Sequence, residues 1–172
     1  MKIAILIADG FEEIEVSAVF DVLKRAGIEV FTAGSQAYNL TGSRGLKITT
    51  DVLVSELKPE ELDGLVIPGG YPGYVNLKDS YAVVTLVKKM AVLNKHLASI
   101  CAGPIVLEKA GVIKGKRATC YPGMESQLKT AVVIDEKIVV DGNIITAQGP
   151  GVAIEFALKL VEAWLDKEIA DR

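Results

Sequence analysis

Cys101 occupies a position from which a thiol can act as a nucleophile. It follows the apolar run Leu97-Ala-Ser-Ile100 and precedes Ala102-Gly103-Pro104, after which Ile105–Ala110 reads as a helix. Proline is favoured in the first turn of a helix. Cys101 is therefore expected on the tight turn between a buried strand and a helix start, the placement of the nucleophile elbow of hydrolases. There the free N–H groups and dipole of the helix favour negative charge, which is expected to lower the thiol's pKa. The plain alternative is a small buried cysteine packed at a strand end.

The chain has a single histidine, His96, five residues before Cys101 on the strand that leads to it. At about 3.3 Å per residue that is roughly 16 Å, the opposite end of the sheet. A cysteine–histidine couple within one subunit is thereby excluded, as is a histidine-based zinc site. The partner of Cys101 must be a carboxylate or a tyrosine. Asp9-Gly-Phe-Glu-Glu-Ile-Glu15 offers candidates. Glu12 and Glu13 suit a helix N-terminus, where the dipole stabilises acids. Glu15 lies between Ile14 and Val16, on a face otherwise apolar, where a carboxylate is costly unless paired or protonated. It either faces Cys101 or snorkels to solvent. In the first case burial and a neighbouring thiolate both raise its pKa. The expected microstate is a protonated Glu15 donating to a Cys101 thiolate, and the pair titrates as a unit. Gly70 has no side chain to cover its N–H; with the Ala102 N–H it could form an oxyanion hole. Gly103 would let a substrate approach the elbow, although two tight turns explain these glycines equally well.

The elements that must position these groups alternate between β-rich and helical patterns. Strands are expected at Lys2–Ala8, Glu29–Ala33, Leu65–Pro68 and Leu97–Ile100, and helices at Ile14–Ala26, Tyr81–Leu93 and Ile105–Ala110. Gly42 to Val54 reads as an extended excursion with hairpin character, and Gly69–Gly73 as a loop. Ala118–Cys120 and Ala131–Ile134 read as short strands. Lys137–Val140 and Ile144–Ala147 flank the turn Asp141-Gly142-Asn143, and Pro150–Asp166 forms a closing helix. This alternation implies a doubly wound α/β sandwich, with its crevice beyond the carboxyl ends of the strands. Four loops end strands there: Asp9–Glu15, Gly69–Gly73, Cys101–Gly103 and Gly149–Gly151.

The 172 residues suit one domain, residues 1–172. Half are apolar, yet no run approaches the ~20 residues of a membrane span. A parallel sheet covered on both faces accounts for the excess. The net charge of −3 offers no basic stripe for nucleic acid. Two cysteines do not make a disulfide framework, and Asp9, Glu12 and Glu13 interrupt any signal-like start, so a reducing cytosol is expected.

Together the residues resemble the DJ-one/ThiJ/PfpI superfamily, whose domain is of the class I glutamine amidotransferase-like type. The matching pieces are Asp9-Gly-Phe-Glu-Glu-Ile-Glu15, Arg25-Ala-Gly-Ile28, Ser43-Arg44-Gly45, Val66-Ile-Pro-Gly-Gly70, Ala98-Ser-Ile-Cys-Ala-Gly-Pro104 and Gln148-Gly-Pro-Gly151 with Glu155-Phe156. They span nearly the whole chain in family order, and are closest to the branch of the parkinsonism-associated deglycase and the bacterial ThiJ-type proteins. The resemblance implies a flavodoxin-like sandwich and a homodimer, without cofactor or metal. It implies Cys101 as an easily oxidised nucleophile, Glu15 as its protonated partner, and Gly70 and Ala102 as oxyanion donors. Arg44 corresponds to an arginine near the dimer interface. Gly69, Gly103, Tyr121, Arg44 and Pro150 are candidate contacts with substrate or partner subunit.

The implied function is a cysteine-dependent glyoxalase or deglycase acting on a small aldehyde or a glycated adduct. The alternatives are a redox-sensing or chaperone-like protein with little turnover and, more weakly, a PfpI-type peptidase. Ala102 stands where the peptidase branch has histidine, and Tyr121 where the deglycase branch often has histidine before proline. Tyrosine, with a pKa near 10, is a poor base at neutral pH. Cys120 is either a resolving thiol or a buried strand-end residue. The chain stops soon after Trp164, which implies that the extra C-terminal helix of the parkinsonism-associated protein is lacking.

Overall fold

The computed structural model describes residues 1–172. Its centre is β1 (Lys2–Ile7), whose Ile3-Ala-Ile-Leu-Ile7 run is wholly buried. Such uninterrupted apolarity suits a strand covered on both faces. The chain then forms α1 (Glu13–Arg25) and returns as β2 (Glu29–Gly34), parallel to β1 with Ile3 opposite Val30. α1 buries Val16, Val19 and Leu23 at helical spacing, and Glu15 with them. It stops in a Schellman turn: Gly27 has φ +79°, its N–H bonds to Lys24 O, and the Ile28 N–H reaches back to Leu23 O.

β3 (Asn39–Thr41) and β4 (Lys47–Thr49) form an antiparallel hairpin outside the main sheet, and β5 (Val52–Leu53) then joins the sheet beside β2. The hairpin thus starts earlier than the expected Gly42, because Asn39–Thr41 is its first arm. β6 (Gly64–Ile67) crosses to the other side of β1. α2 (Gly73–Asp79), for which the sequence reading gives no element beyond the Gly69–Gly73 loop, follows the glycine-rich turn; it is short and begins on a glycine, so it has neither length nor periodicity to betray it. α3 (Tyr81–Val92) is capped by the Ser80 hydroxyl. β7 (His96–Ile100) leads through Cys101 into α4 (Pro104–Ala110).

β8 (Arg117–Ala118) and β9 (Val132–Val133) pair in a small separate parallel sheet, shorter than the two strands expected there. β10 (Ile138–Asp141) and β11 (Ile144–Ala147) form the expected hairpin. The closing helix is divided: a tight turn at Pro150–Val152, α5 (Ala153–Trp164), and a further short helix, α6 (Lys167–Asp171), capped by Asp166.

The main sheet runs β10-β11-β7-β6-β1-β2-β5, all parallel except the β10 edge. α1, α5 and α6 pack on one another over one face, and α2, α3 and α4 over the other. The expected flavodoxin-like sandwich is therefore present. Strand order reverses between β1 and β6, the switch point beside which such sheets place their sites. No helix is long and apolar enough to cross a membrane.

Candidate active site

The elbow is built by a change of hydrogen-bond partner at Cys101. Its N–H still belongs to the sheet, bonding to Ala147 O at 2.9 Å. The backbone then turns to φ +63°, a left-handed value that costs a non-glycine residue about 1–3 kcal/mol. Two bonds hold the turn: Gly103 N–H to Ile100 O at 2.9 Å, and Tyr121 N–H to Cys101 O at 2.8 Å. Gly103 presses on the end of β6, where a Cβ would collide with the Ile67 carbonyl. It is a packing glycine, buried, and does not line the path to the thiol, contrary to the expectation from sequence.

Gly69 is also buried beneath the site. A Cβ there would lie 2.7 Å from Cys101 Cβ and 2.8 Å from its Sγ. Its N–H donates to Glu15 Oε2 at 2.7 Å, and its carbonyl accepts the Glu12 N–H at 3.1 Å. One residue thus fixes α1's first turn against the elbow. Gly70 has φ +92° and nothing but glycine fits there, since a Cβ would strike Gly10 and Glu12 backbone. Its N–H and that of Ala102 have no backbone acceptor, and both lie near enough to the Cys101 sulfur to favour its charged form.

Glu15 is completely buried. Oε2 is held by Gly69, while Oε1 has no hydrogen-bond partner, and the carboxyl and the Cys101 thiol lie near enough to shift each other's titration. Burial pushes Glu15 up to about 7 against the pull of the Gly69 N–H and the thiol. Burial also pushes Cys101 up, and Glu15's charge adds to it, to about 12, although the Ala102 and Gly70 N–H groups act the other way. The expected lowering of the thiol by the helix start therefore does not prevail beside an ionised Glu15. Desolvation and like charge are larger than two amide contacts. Protonating Glu15 removes the opposing charge, so a thiolate at Cys101 is favoured only while Glu15 carries a proton.

Above the thiol, which is 9% exposed, opens a cleft of about 240 Å3. Gly70, Ala102, Arg44, Tyr121 and Pro150 line it, joined by Glu12, Tyr71, Tyr74 and Met124. Arg44 reaches this cleft within its own chain, from the tip of the β3–β4 hairpin. Tyr121 lies against Gly149, where a Cβ would come within 3.1 Å of the ring. A larger hollow of about 740 Å3 between α1, α5 and α6 contains no nucleophile and lies away from the elbow. Cys120 is buried, and its sulfur contacts its neighbour's carbonyl, Tyr121 O, at 3.6 Å; burial first, then Glu125, pushes it up to about 11. His96 lies at the start of β7 and stacks on Trp164, ring centroids 5.4 Å apart, at the far end from Cys101. No three Cys, His, Asp or Glu side chains are grouped as a metal site would require.

The family model described as the DJ-1/PfpI family matches residues 1–163. The chain belongs to the DJ-1/PfpI family. It is 41% identical to protein DJ-1 homolog B of Arabidopsis thaliana over 97% of this chain, which spans only 39% of that relative's length. It is 38% identical to deglycase PfpI of Pyrococcus furiosus, over 88% of this chain and 92% of that one. The crystal structure of Drosophila melanogaster DJ-1beta superposes with a TM-score of 0.95 at 38% identity, covering 99% and 95% of the two chains.

In this DJ-1/PfpI chain the sequence-derived residues Cys101, Glu15, Gly70 and Ala102 come together at one point. Gly69 and Gly103 support that point from below, and Arg44, Tyr121 and Pro150 surround its opening. Tyr71, Tyr74 and Met124 of the cleft wall were not legible in the sequence. Their only signal is proximity to the Gly69–Gly73 and Tyr121-Pro122 turns, which becomes meaningful once those turns are known to converge.

Proposed function

We propose that this DJ-1/PfpI protein is a cofactor-free, cysteine-dependent enzyme acting on 2-oxoaldehydes, or on the early adducts they form with amines. The observation that carries the proposal is the convergence on one sulfur of two acceptor-free N–H groups and a buried carboxyl near 7. A base of that pKa is suited to proton transfer at neutral pH.

Cys101 attacks the aldehyde carbon as its proton moves to Glu15; the S–C bond forms and the carbonyl π pair becomes an oxyanion. The N–H groups of Gly70 and Ala102 hold that charge, and Glu15 returns the proton to give a hemithioacetal. Glu15, now a carboxylate, removes the proton from the former aldehyde carbon and delivers it to the neighbouring carbon, while the hydroxyl proton of the hemithioacetal passes to the oxygen of that neighbouring carbon, leaving a 2-hydroxy thioester at Cys101. Water cleaves the thioester to a 2-hydroxy acid and the free thiol. In deglycation the attacked carbon carries an amine, which leaves with a proton. The Arg44 guanidinium pairs with no carboxylate, its one hydrogen bond being Nη1 to Ser43 O at 3.5 Å, so its charge is available to an anionic substrate group. Ile14 of α1, Leu46 of the hairpin and Ile154 of α5 are exposed apolar residues on adjoining elements and favour a homodimer.

Metal-free protein should form lactate from methylglyoxal. Cys101→Ala should abolish this; undiminished activity in that variant would eliminate the mechanism.

The same convergence favours one second reading, an oxidation sensor. Two peroxide molecules convert a thiolate to a sulfinate and two waters. The two N–H groups and protonated Glu15 could then hold the sulfinate oxygens. On this reading lactate formation is negligible, and graded peroxide adds two oxygens at Cys101 before the methionines react.

A further inference from the structure

The segment that delivers Glu15 to the elbow also grips the hairpin that carries Arg44. Glu13 Oε1 accepts the Arg44 N–H at 2.7 Å and the Leu46 N–H at 3.4 Å, and Oε2 accepts the Ser43 hydroxyl at 3.1 Å. Gly42 lies directly against this carboxylate, and a Cβ there would collide with it. Partial burial opposes the charge of Glu13, yet these donors outweigh it and hold the carboxyl below its ordinary value.

Other contacts tie down the base of the same hairpin. Gly10 N–H bonds to Thr41 O at 2.8 Å, the Thr41 N–H to Asp9 Oδ1 at 2.8 Å, and the Ser43 N–H to Phe11 O at 2.8 Å. From outside the hairpin only Glu13 hydrogen-bonds to Arg44 and Leu46; Glu12 Oε2 reaches no further than the Ser43 hydroxyl, at 3.5 Å. Acid near a helix N-terminus is ordinary, but this carboxylate spends its acceptors on another element. The Arg44 side chain has no side-chain partner to direct it, so its place in the cleft depends on where the backbone of the tip is held.

We propose that Glu13 is a positioning residue: its carboxylate fixes the hairpin tip so that the Arg44 guanidinium stays at the Cys101 cleft, where it favours anionic reactants over neutral ones of similar size. This rests on Cys101 as the reactive thiol, and not on turnover of any particular aldehyde.

The test compares Cys101 alkylation by iodoacetate and iodoacetamide, nearly equal in size but differing in charge, in the full chain carrying Cys120→Ala. Arg44→Ala should lower the iodoacetate-to-iodoacetamide rate ratio about five-fold, the effect of one charge at a partly solvated site. Glu13→Ala should bring the ratio to within about two-fold of Arg44→Ala while leaving the iodoacetamide rate nearly unchanged. Glu13→Gln, whose amide oxygen still accepts the Arg44 N–H, should recover most of the loss. The direction is diagnostic, because removing the negative charge of Glu13 would by itself raise the ratio. High salt should reduce the parent ratio and leave that of Glu13→Ala unaltered.

A parent-like ratio in Glu13→Ala or in Arg44→Ala overturns the proposal. So does an iodoacetamide rate that falls in step with the iodoacetate rate, which would mean a disturbed elbow. Failure of the enzymatic reading appears separately, as absent lactate with the charge preference intact.

Discussion

Replacing Glu15 by Gln separates what the buried carboxyl costs from what it does. In solution a glutamate titrates near 4.5, and inside this fold burial raises Glu15 to about 7. An acid whose folded pKa exceeds its unfolded one gives its full stability below the unfolded value. That stability is lost as pH rises through the folded value, because the folded state binds the extra proton. The window is therefore pH 4.5 to about 7, and at pH 8 the ionised group costs the fold about 3 kcal/mol. Glutamine has nearly the same shape, keeps an oxygen for the Gly69 N–H and never ionises. The variant should accordingly be more stable than the parent at pH 8 by about 2–3 kcal/mol, allowing for a weaker bond from Gly69. At roughly 2–4 °C per kcal/mol the midpoint should rise by roughly 5–10 °C. Near pH 5 the two proteins should nearly coincide. Thermal unfolding followed by circular dichroism from pH 5 to 8 measures the difference. A Glu15→Gln protein that is less stable at pH 8, or a difference that does not change with pH, would refute the raised carboxyl and the proton transfer built on it.

The thiol should respond in the same direction. With Glu15's charge gone, iodoacetamide should alkylate Cys101 at pH 8 at least as fast in Glu15→Gln as in the parent, and more slowly in Glu15→Leu, which offers sulfur no donor. Turnover should fall by about 10²-fold or more in both, since neither side chain is a base. Gly69→Ala places a methyl within 2.7–2.9 Å of Cys101 and the Ala102 nitrogen, so it should cost about 1–3 kcal/mol by chemical denaturation and suppress lactate formation. Cys120→Ala should leave turnover within about two-fold, and mild peroxide followed by peptide mass spectrometry should place added oxygen on Cys101, because Cys101 lines the open cleft and has the Gly70 and Ala102 N–H groups beside its sulfur, whereas Cys120 has neither.

The sequence made the sheet legible because its strands are short apolar runs set between helices of clear period, and β1, β2, β6 and β7 follow that pattern. The site was legible because an apolar strand, a cysteine and a proline two residues beyond Ala102 leave few backbone solutions. Glu15 stood out as a carboxylate on an apolar helix face. Three features depend on long-range packing and left no local mark. Gly103 reads like a substrate-access glycine but is required by the Ile67 carbonyl of a neighbouring strand. The thiol's resistance to ionisation arises from burial beside Glu15, which outweighs the helix start that sequence alone emphasises. Arg44 reaches the cleft only because Glu13, 31 residues earlier, holds the hairpin tip.

Proton movement through Glu15 on a substrate bound to Cys101 is tested most directly by running methylglyoxal turnover in deuterium oxide and reading the lactate by proton NMR. A carboxyl that exchanges with solvent while it carries the proton between carbons should leave deuterium at C2 of the product. Glu15→Gln should form essentially no lactate under the same conditions. Lactate that retains only protium at C2, formed equally well by Glu15→Gln, would contradict the assignment of Glu15 as the proton carrier.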